Sequence, residues 1–206
     1  MRYIKEFNEF NIVDKNNDFI IVVDNTMPPE NKYLANIVNY LEKSNVKYVV
    51  ANNSEEITNY CNTYNIVGAI STGSDYRVNE DSNVVSYKAL QDLDFPILAM
   101  CFGFQSMSKF YGSNILSGSE VKGELYLTSF DESHFLFEDI DLKTTKVSFC
   151  FHDYPSEVPE GFTKIAELDG KVAGISNINL KRYGLLFHPE DIQSTHIILN
   201  NFIKNL

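Results

Sequence analysis

Phe95-Pro96-Ile97-Leu98-Ala99-Met100-Cys101-Phe102-Gly103-Phe104-Gln105 is the stretch on which the reading of the fold turns. Ile97 to Met100 is apolar without alternation, as in a strand buried on both faces. The run stops at Cys101, and a helical pattern begins at once. A side chain at such a strand-to-helix corner is pushed out of the backbone on a tight turn. It also stands at a helix N-terminus, where unpaired N–H groups and the helix dipole favour a thiolate. The stretch predicts a nucleophile elbow, and with it a parallel sheet whose strand ends carry the chemistry.

Upstream the pattern agrees. Phe19 to Asp24 is another continuous apolar run, followed by Tyr33, Leu34, Ile37, Val38 and Leu41 at helical spacing. Val46 to Val50 predicts a strand, and Ser54 opens a helix as its N-cap. Ile66 to Ser71 predicts a third strand, which ends in the loop Thr72-Gly73-Ser74-Asp75. Downstream the rhythm changes. Glu124 to Phe130, Thr145 to Phe149, Phe162 to Leu168 and Lys171 to Ser176 read as short antiparallel strands, with Gly161 and Asp169-Gly170 as turns. Arg182 to Phe187 returns to a buried strand that ends at His188-Pro189-Glu190, and Thr195 to Leu206 closes the chain as a helix. The expectation is one α/β domain over residues 1–206, with residues 1–17 as a lead-in. Its sheet is doubly wound and mostly parallel, with a small antiparallel strand insertion.

Composition narrows the function. Seventeen basic residues against 28 acidic ones leave a net charge of −11. No basic excess is available to neutralise phosphates, which argues against nucleic acid or an anionic membrane as partner. Three cysteines, Cys61, Cys101 and Cys150, form no paired spacing, which fits a reducing compartment. Met1 to Glu6 lacks the apolar core of a signal peptide, and no run reaches the roughly 18 apolar residues of a membrane span. The expected setting is soluble and cytoplasmic.

Catalytic groups in open α/β sheets gather at the carboxyl ends of strands. A thiol nucleophile needs a base within hydrogen-bond reach, and the base needs an orienting group. His188 suits the first role and Glu190 the second, because residues two apart in an extended segment point to one side. The N–H of Phe102 is the natural first oxyanion donor. Gly73 offers a second, since glycine allows close backbone approach. Gly103 permits tight helix–strand contact, and Gln105 sits one turn into the helix, within reach of a bound amide. The bland alternatives are a buried structural cysteine, a surface His-Pro-Glu turn and a plain glycine turn. Cys150 and His152 read as packing or supporting residues, and His134 and His196 as satisfied or solvated. A metal set of His188, Glu190, His152 and Asp153 has no recognised spacing, so no metal is expected.

These pieces together resemble the class I glutamine amidotransferase family of the Cys-His-Glu type, over about Phe19 to Leu206. The likeness rests on Ala99-Met100-Cys101-Phe102-Gly103-Phe104-Gln105, on Tyr183-Gly184-Leu185-Leu186-Phe187-His188-Pro189-Glu190, and on Ser71-Thr72-Gly73-Ser74 for the family's Ser-Gly-Gly-Pro loop. The resemblance implies a flavodoxin-like fold and L-glutamine as substrate. It implies Cys101 as nucleophile, His188 as proton shuttle and Glu190 as its orienter. Gly73 and Phe102 would supply the oxyanion hole, and Gln105, Gly103, Cys150 and Phe151 would bind substrate. No cofactor is implied; a separate ATP-dependent synthetase would receive the ammonia.

Val121-Lys122-Gly123-Glu124, Phe151-His152-Asp153 and Glu157 to Phe162 look like segments of the glutaminase of GMP synthases. Four departures stand out: Thr72 replaces a glycine of the loop, Ser74 its proline, and Ala99 a common glycine, while Cys150-Phe151 stands where Ser-His is expected, or His152 is shifted by one. A β-branched Thr does not readily take a positive φ, so this loop is expected to differ in shape or to need a partner to set it. Two other readings use the same scaffold: a stand-alone γ-glutamyl hydrolase and a non-catalytic regulatory homologue.

Overall fold

The computed structural model describes residues 17–29, 31–80 and 88–206. The predicted lead-in lies, up to residue 16, outside them. Along the chain come β1 (Asp18–Val23), α1 (Lys32–Lys43), β2 (Tyr48–Ala51), α2 (Ser54–Thr63), β3 (Asn65–Ser71) and α3 (Lys88–Gln91). Then come β4 (Ile97–Met100), α4 (Phe102–Phe110), β5 (Ile115–Leu125), β6 (Ser129–Phe130) and β7 (Val147–Pro155). The chain finishes with β8 (Thr163–Leu168), β9 (Lys171–Asn177), β10 (Arg182–Leu185) and α5 (His196–Lys204).

Eight strands form one sheet in the order β2-β1-β3-β4-β10-β9-β8-β6. The first five run parallel, and β9, β8 and β6 continue the sheet antiparallel. Ile20 to Val23 and Ile97 to Met100 are fully buried, which is why these strands read as unbroken apolar runs. The register draws the strand ends together: Ser71 lies opposite Ala99, and Leu185 opposite Met100. The loops after β3, β4 and β10 therefore leave the sheet side by side.

The antiparallel strands divide between two places rather than forming one insertion. β8 and β9 make a hairpin on the main sheet, turned at Asp169 and Gly170, both with positive φ (47° and 78°) as a type I′ turn requires. β5 and β7 form a separate two-stranded ribbon. The segment read as one strand, Glu124 to Phe130, is broken between β5 and β6. Most of β5 is exposed, so it carries little apolar alternation from which a strand is read. The N-cap of α2 is Asn53, not Ser54: its side chain accepts from the Glu56 N–H at 2.9 Å, while the Glu56 carboxylate accepts from the Asn52 N–H at 2.9 Å.

Arg182 is buried and its guanidinium donates to a shell of carbonyls, among them Phe95 at 2.9 Å, Leu180 at 2.8 Å and Gln91 at 3.2 Å. It ties the segment that feeds β4 to the start of β10. No helix of the described residues is long and apolar enough to cross a membrane.

Candidate active site

Cys101 is the single residue between β4 and α4. Its backbone has φ 46° and ψ −107°, a left-handed conformation that costs a non-glycine residue about 1–3 kcal/mol. Surrounding bonds hold it there. The Cys101 N–H donates to Leu185 O at 2.8 Å, and its carbonyl accepts from the Gln105 N–H at 2.9 Å. The Gly103 N–H donates to Thr72 O at 3.2 Å. The residue is 2% exposed, and its thiol donates to the Cys150 carbonyl at 3.4 Å.

His188 follows β10. Its Nδ1 and the Glu190 Oε1 are 2.9 Å apart, and both side chains are wholly buried. The His188 N–H donates to Ser148 O at 2.8 Å, which pins the segment to β7. The turn beyond is held from the start of α5: the Thr195 hydroxyl donates to Pro189 O at 2.9 Å, and the His196 ring meets Glu190 O at 3.1 Å. Burial alone would depress the imidazole's proton affinity. The Glu190 charge and its hydrogen bond, with a contribution from the neighbouring Cys101 sulfur, outweigh it and raise the pKa well above the usual histidine value. Among the described residues the other nitrogen, Nε2, has no hydrogen-bond partner, although the thiol is close enough to act on the ring.

Gly73 closes a third side. A Cβ there would lie 2.7 Å from His188 Cε1 and 3.4 Å from the Cys101 Cβ, so any side chain would displace the imidazole. Thr72 keeps a negative φ. Its place is set instead by Asn25, just beyond β1. The Asn25 N–H donates to Thr72 Oγ1 at 2.9 Å, and its Nδ2 donates to Ser71 Oγ and Thr72 O, each at 2.9 Å. Thr72 Oγ1 in turn donates to Gly73 O at 3.0 Å. The departure from the family's loop is thus matched by support from a neighbouring strand end.

A cleft of about 170 Å³ opens beside the thiol, lined by Cys101, Gln105, Cys150 and Phe151 together with Asp75 and Arg77 among others. Gln105 is buried and donates from Nε2 to Asp153 O at 2.7 Å, joining α4 to β7. Asp153 accepts from Ser117 Oγ at 2.8 Å and pairs with Arg77 at 3.2 Å. Gly103 and Phe102 lie behind the nucleophile instead of on this wall. A Cβ on Gly103 would meet Ser71 Oγ at 2.6 Å, and the Phe102 side chain is buried. His188, Glu190 and Asp191 bring donor atoms within 4.8 Å of one another. His188 and Glu190 bind each other, while Asp191 accepts from Asn36 at 2.9 Å and Ser148 at 2.8 Å.

Sequence reasoning missed Tyr33, Asn25 and Arg77. Tyr33 falls on the apolar face of α1 and reads as core, yet its ring stacks on His188 with centroids 4.8 Å apart. Asn25 looks like an ordinary turn residue. The one usable signal was its place just after a buried strand, where loops converge.

The sequence profile of the family described as Glutamine amidotransferase class-I matches residues 22–206. A GMP synthase (glutamine-hydrolysing) from Acetivibrio thermocellus is 34% identical over 144 residues, which is 68% of this chain and 28% of that protein. The enzyme of the same name from Clostridium tetani is 34% identical over 146 residues, again 68% of this chain and 28% of the relative. The chain thus spans little more than a quarter of the length of these relatives. Among solved structures, a Thermoplasma acidophilum protein described as a GMP synthase subunit superposes with a TM-score of 0.74 at 20% identity, covering 90% of this chain and 92% of that one. A glutamine amidotransferase from Thermotoga maritima gives 0.63 at 15% identity, covering 93% and 84%. These likenesses show the fold. The profile match over residues 22–206 shows the kinship: the chain belongs to the class I glutamine amidotransferase family.

Proposed function

We propose that the chain is a glutaminase that cleaves the side-chain amide of L-glutamine through a cysteine thioester. One observation carries the reading: a strained, buried Cys101 stands beside a buried imidazole whose far edge is bonded to Glu190 at 2.9 Å. His188 holds the proton taken from the thiol, and the sulfur attacks the amide carbon. The N–H groups of Phe102 and Gly73 receive the oxyanion. His188 then gives its proton to the departing nitrogen, and ammonia leaves. Water, deprotonated by His188, attacks the thioester; glutamate is released and the thiol re-forms. Glu190 keeps the imidazole in the tautomer and orientation that both steps need.

Free ammonia is mostly protonated at neutral pH and is a poor nucleophile in that form. The proposed acceptor is therefore a separate ATP-dependent synthetase, and the relatives named GMP synthase make a GMP-forming partner the leading choice. The test is a glutaminase assay with purified chain, with and without the synthetase from the same source. Cys101→Ala should lower kcat by at least about 10³-fold. Full hydrolysis by that variant would end the reading. Turnover of γ-glutamyl peptides in preference to glutamine would replace it with the hydrolase alternative.

A further inference from the structure

Helix α1 brings into the site an aromatic ring that the chemistry above leaves unused. Tyr33 is 3% exposed, and its ring lies nearly parallel to the His188 imidazole, with 19° between the planes. A Cβ on Gly73 would come 3.3 Å from Tyr33 Cδ1 and 2.7 Å from His188 Cε1, so the two rings close on the glycine together. The Tyr33 hydroxyl donates to Asp75 Oδ1 at 3.0 Å, on the loop that follows Gly73.

An imidazole gripped at one nitrogen keeps a degree of freedom. The Glu190 bond fixes the position of Nδ1, but the ring can still tilt about that bond and carry Nε2 away from the sulfur. A flat neighbour limits the tilt, because stacked aromatic rings have preferred offsets and separations. The π face also suits a ring that carries positive charge for part of the cycle. We propose that Tyr33 is a positioning residue for His188, its ring setting the plane in which Nε2 faces Cys101. Burial of the ring holds the tyrosine in turn, and the Asp75 hydrogen bond only satisfies its hydroxyl. The proposal rests on the reading of Cys101 and His188 as nucleophile and base.

Among the described residues the charged and titratable surroundings are these. Glu190 and Cys101 act directly on His188. Cys101, Cys150 and Asp75 act on the Tyr33 hydroxyl, and Lys32 Nζ lies 4.6 Å over the Tyr33 ring. Asp191 is engaged with Asn36 and Ser148. Burial, followed by the nearby sulfurs and Asp75, pushes the Tyr33 hydroxyl far above the ordinary phenol range, so it remains a donor throughout.

The test is the pH profile of Cys101 alkylation by iodoacetamide in the purified chain, with the labelled peptide identified by mass spectrometry. It needs no partner and no turnover. Tyr33→Leu should slow Cys101 labelling at pH 7 about tenfold and move the profile's midpoint up by about one pH unit. Tyr33→Phe, which keeps the flat ring, should stay within about twofold of the parent. In the glutaminase assay Tyr33→Leu should lower kcat with KM little changed, since the ring acts on the base and not on substrate. His188→Ala separates the base's own role from the tyrosine's. If it slows labelling while Tyr33→Leu leaves labelling unchanged, or if Phe and Leu fall equally, the positioning role is overturned. If His188→Ala itself has no effect, the thiol–imidazole reading fails and the proposal with it. Folding is monitored by thermal melting. Should the Leu variant not fold, Tyr33→Met fills similar space without a flat face and carries the same expectation.

Discussion

The elbow at Cys101 and the loop at Thr72-Gly73 stand side by side, yet they are held in place in opposite ways. The elbow is written in consecutive residues and fastened by backbone alone. A buried strand, one left-handed residue and a helix follow one another directly, and backbone bonds to Leu185, Thr72 and Gln105 hold the corner. The loop is supported from a distance: Asn25 reaches it from the end of β1 with three hydrogen bonds. The lesson is that neighbouring strand ends can fix a nucleophile through backbone bonds alone, whereas this loop takes its shape from a side chain, Asn25, at the end of another strand.

The largest expected effect probes the elbow side. Glu190→Gln keeps the shape but removes the charge behind His188, and kcat should fall by about 10²–10⁴-fold. The sign of the pH effect follows from the raised imidazole pKa. Stability gained from protonated His188 is fully present below the unfolded histidine pKa and is lost as pH rises through the elevated folded value. The alkaline limb of the rate profile should therefore shift to lower pH in Glu190→Gln. An unchanged limb would show that the carboxylate does not govern the imidazole.

Gly73→Ala comes next. The added methyl would need the space of His188 Cε1, 2.7 Å away, so kcat should drop about 10²-fold and stability should fall by about 1–3 kcal/mol. A fully active variant would show that the loop can yield.

Asn25→Ala removes most of the distant support. Both side-chain hydrogen bonds vanish and buried partners are left behind, so stability should fall by about 1–3 kcal/mol. Activity should fall about tenfold in the fraction that stays folded. A loss equal to that of the elbow variants would break the distinction between the two regions.

The smallest effect is expected from Thr72→Gly, which restores the family's usual residue but deletes the hydroxyl between Asn25 and the Gly73 carbonyl. A decrease of about threefold fits the borrowed-shape account. A faster enzyme would refute it.

Most of the parallel half was legible because its strands are buried on both faces and announce themselves as unbroken apolar runs. The β5–β7 ribbon was not, since a mostly exposed strand needs no apolar alternation. The cap of α2 slipped by one residue because Asn53 and Ser54 are both competent caps and only backbone geometry chooses between them. Within the site, Cys101, His188 and Glu190 were readable as residue types at strand ends. Gln105 was readable as a cleft residue, but its amide N–H is spent on Asp153 O.

By itself the sequence determined the elbow, the His-Pro-Glu strand end and the parallel sheet that carries them. Each is a pattern among neighbours along the chain, and local backbone preference and burial write such patterns directly. Only the tertiary structure decided that Tyr33 stacks on the imidazole and that Asn25 holds Thr72. It also decided that Glu190 and His188 are sealed together from water. Those facts depend on strands far apart in sequence ending at the same place. Contacts of that kind follow from sheet order and register, which no single segment contains.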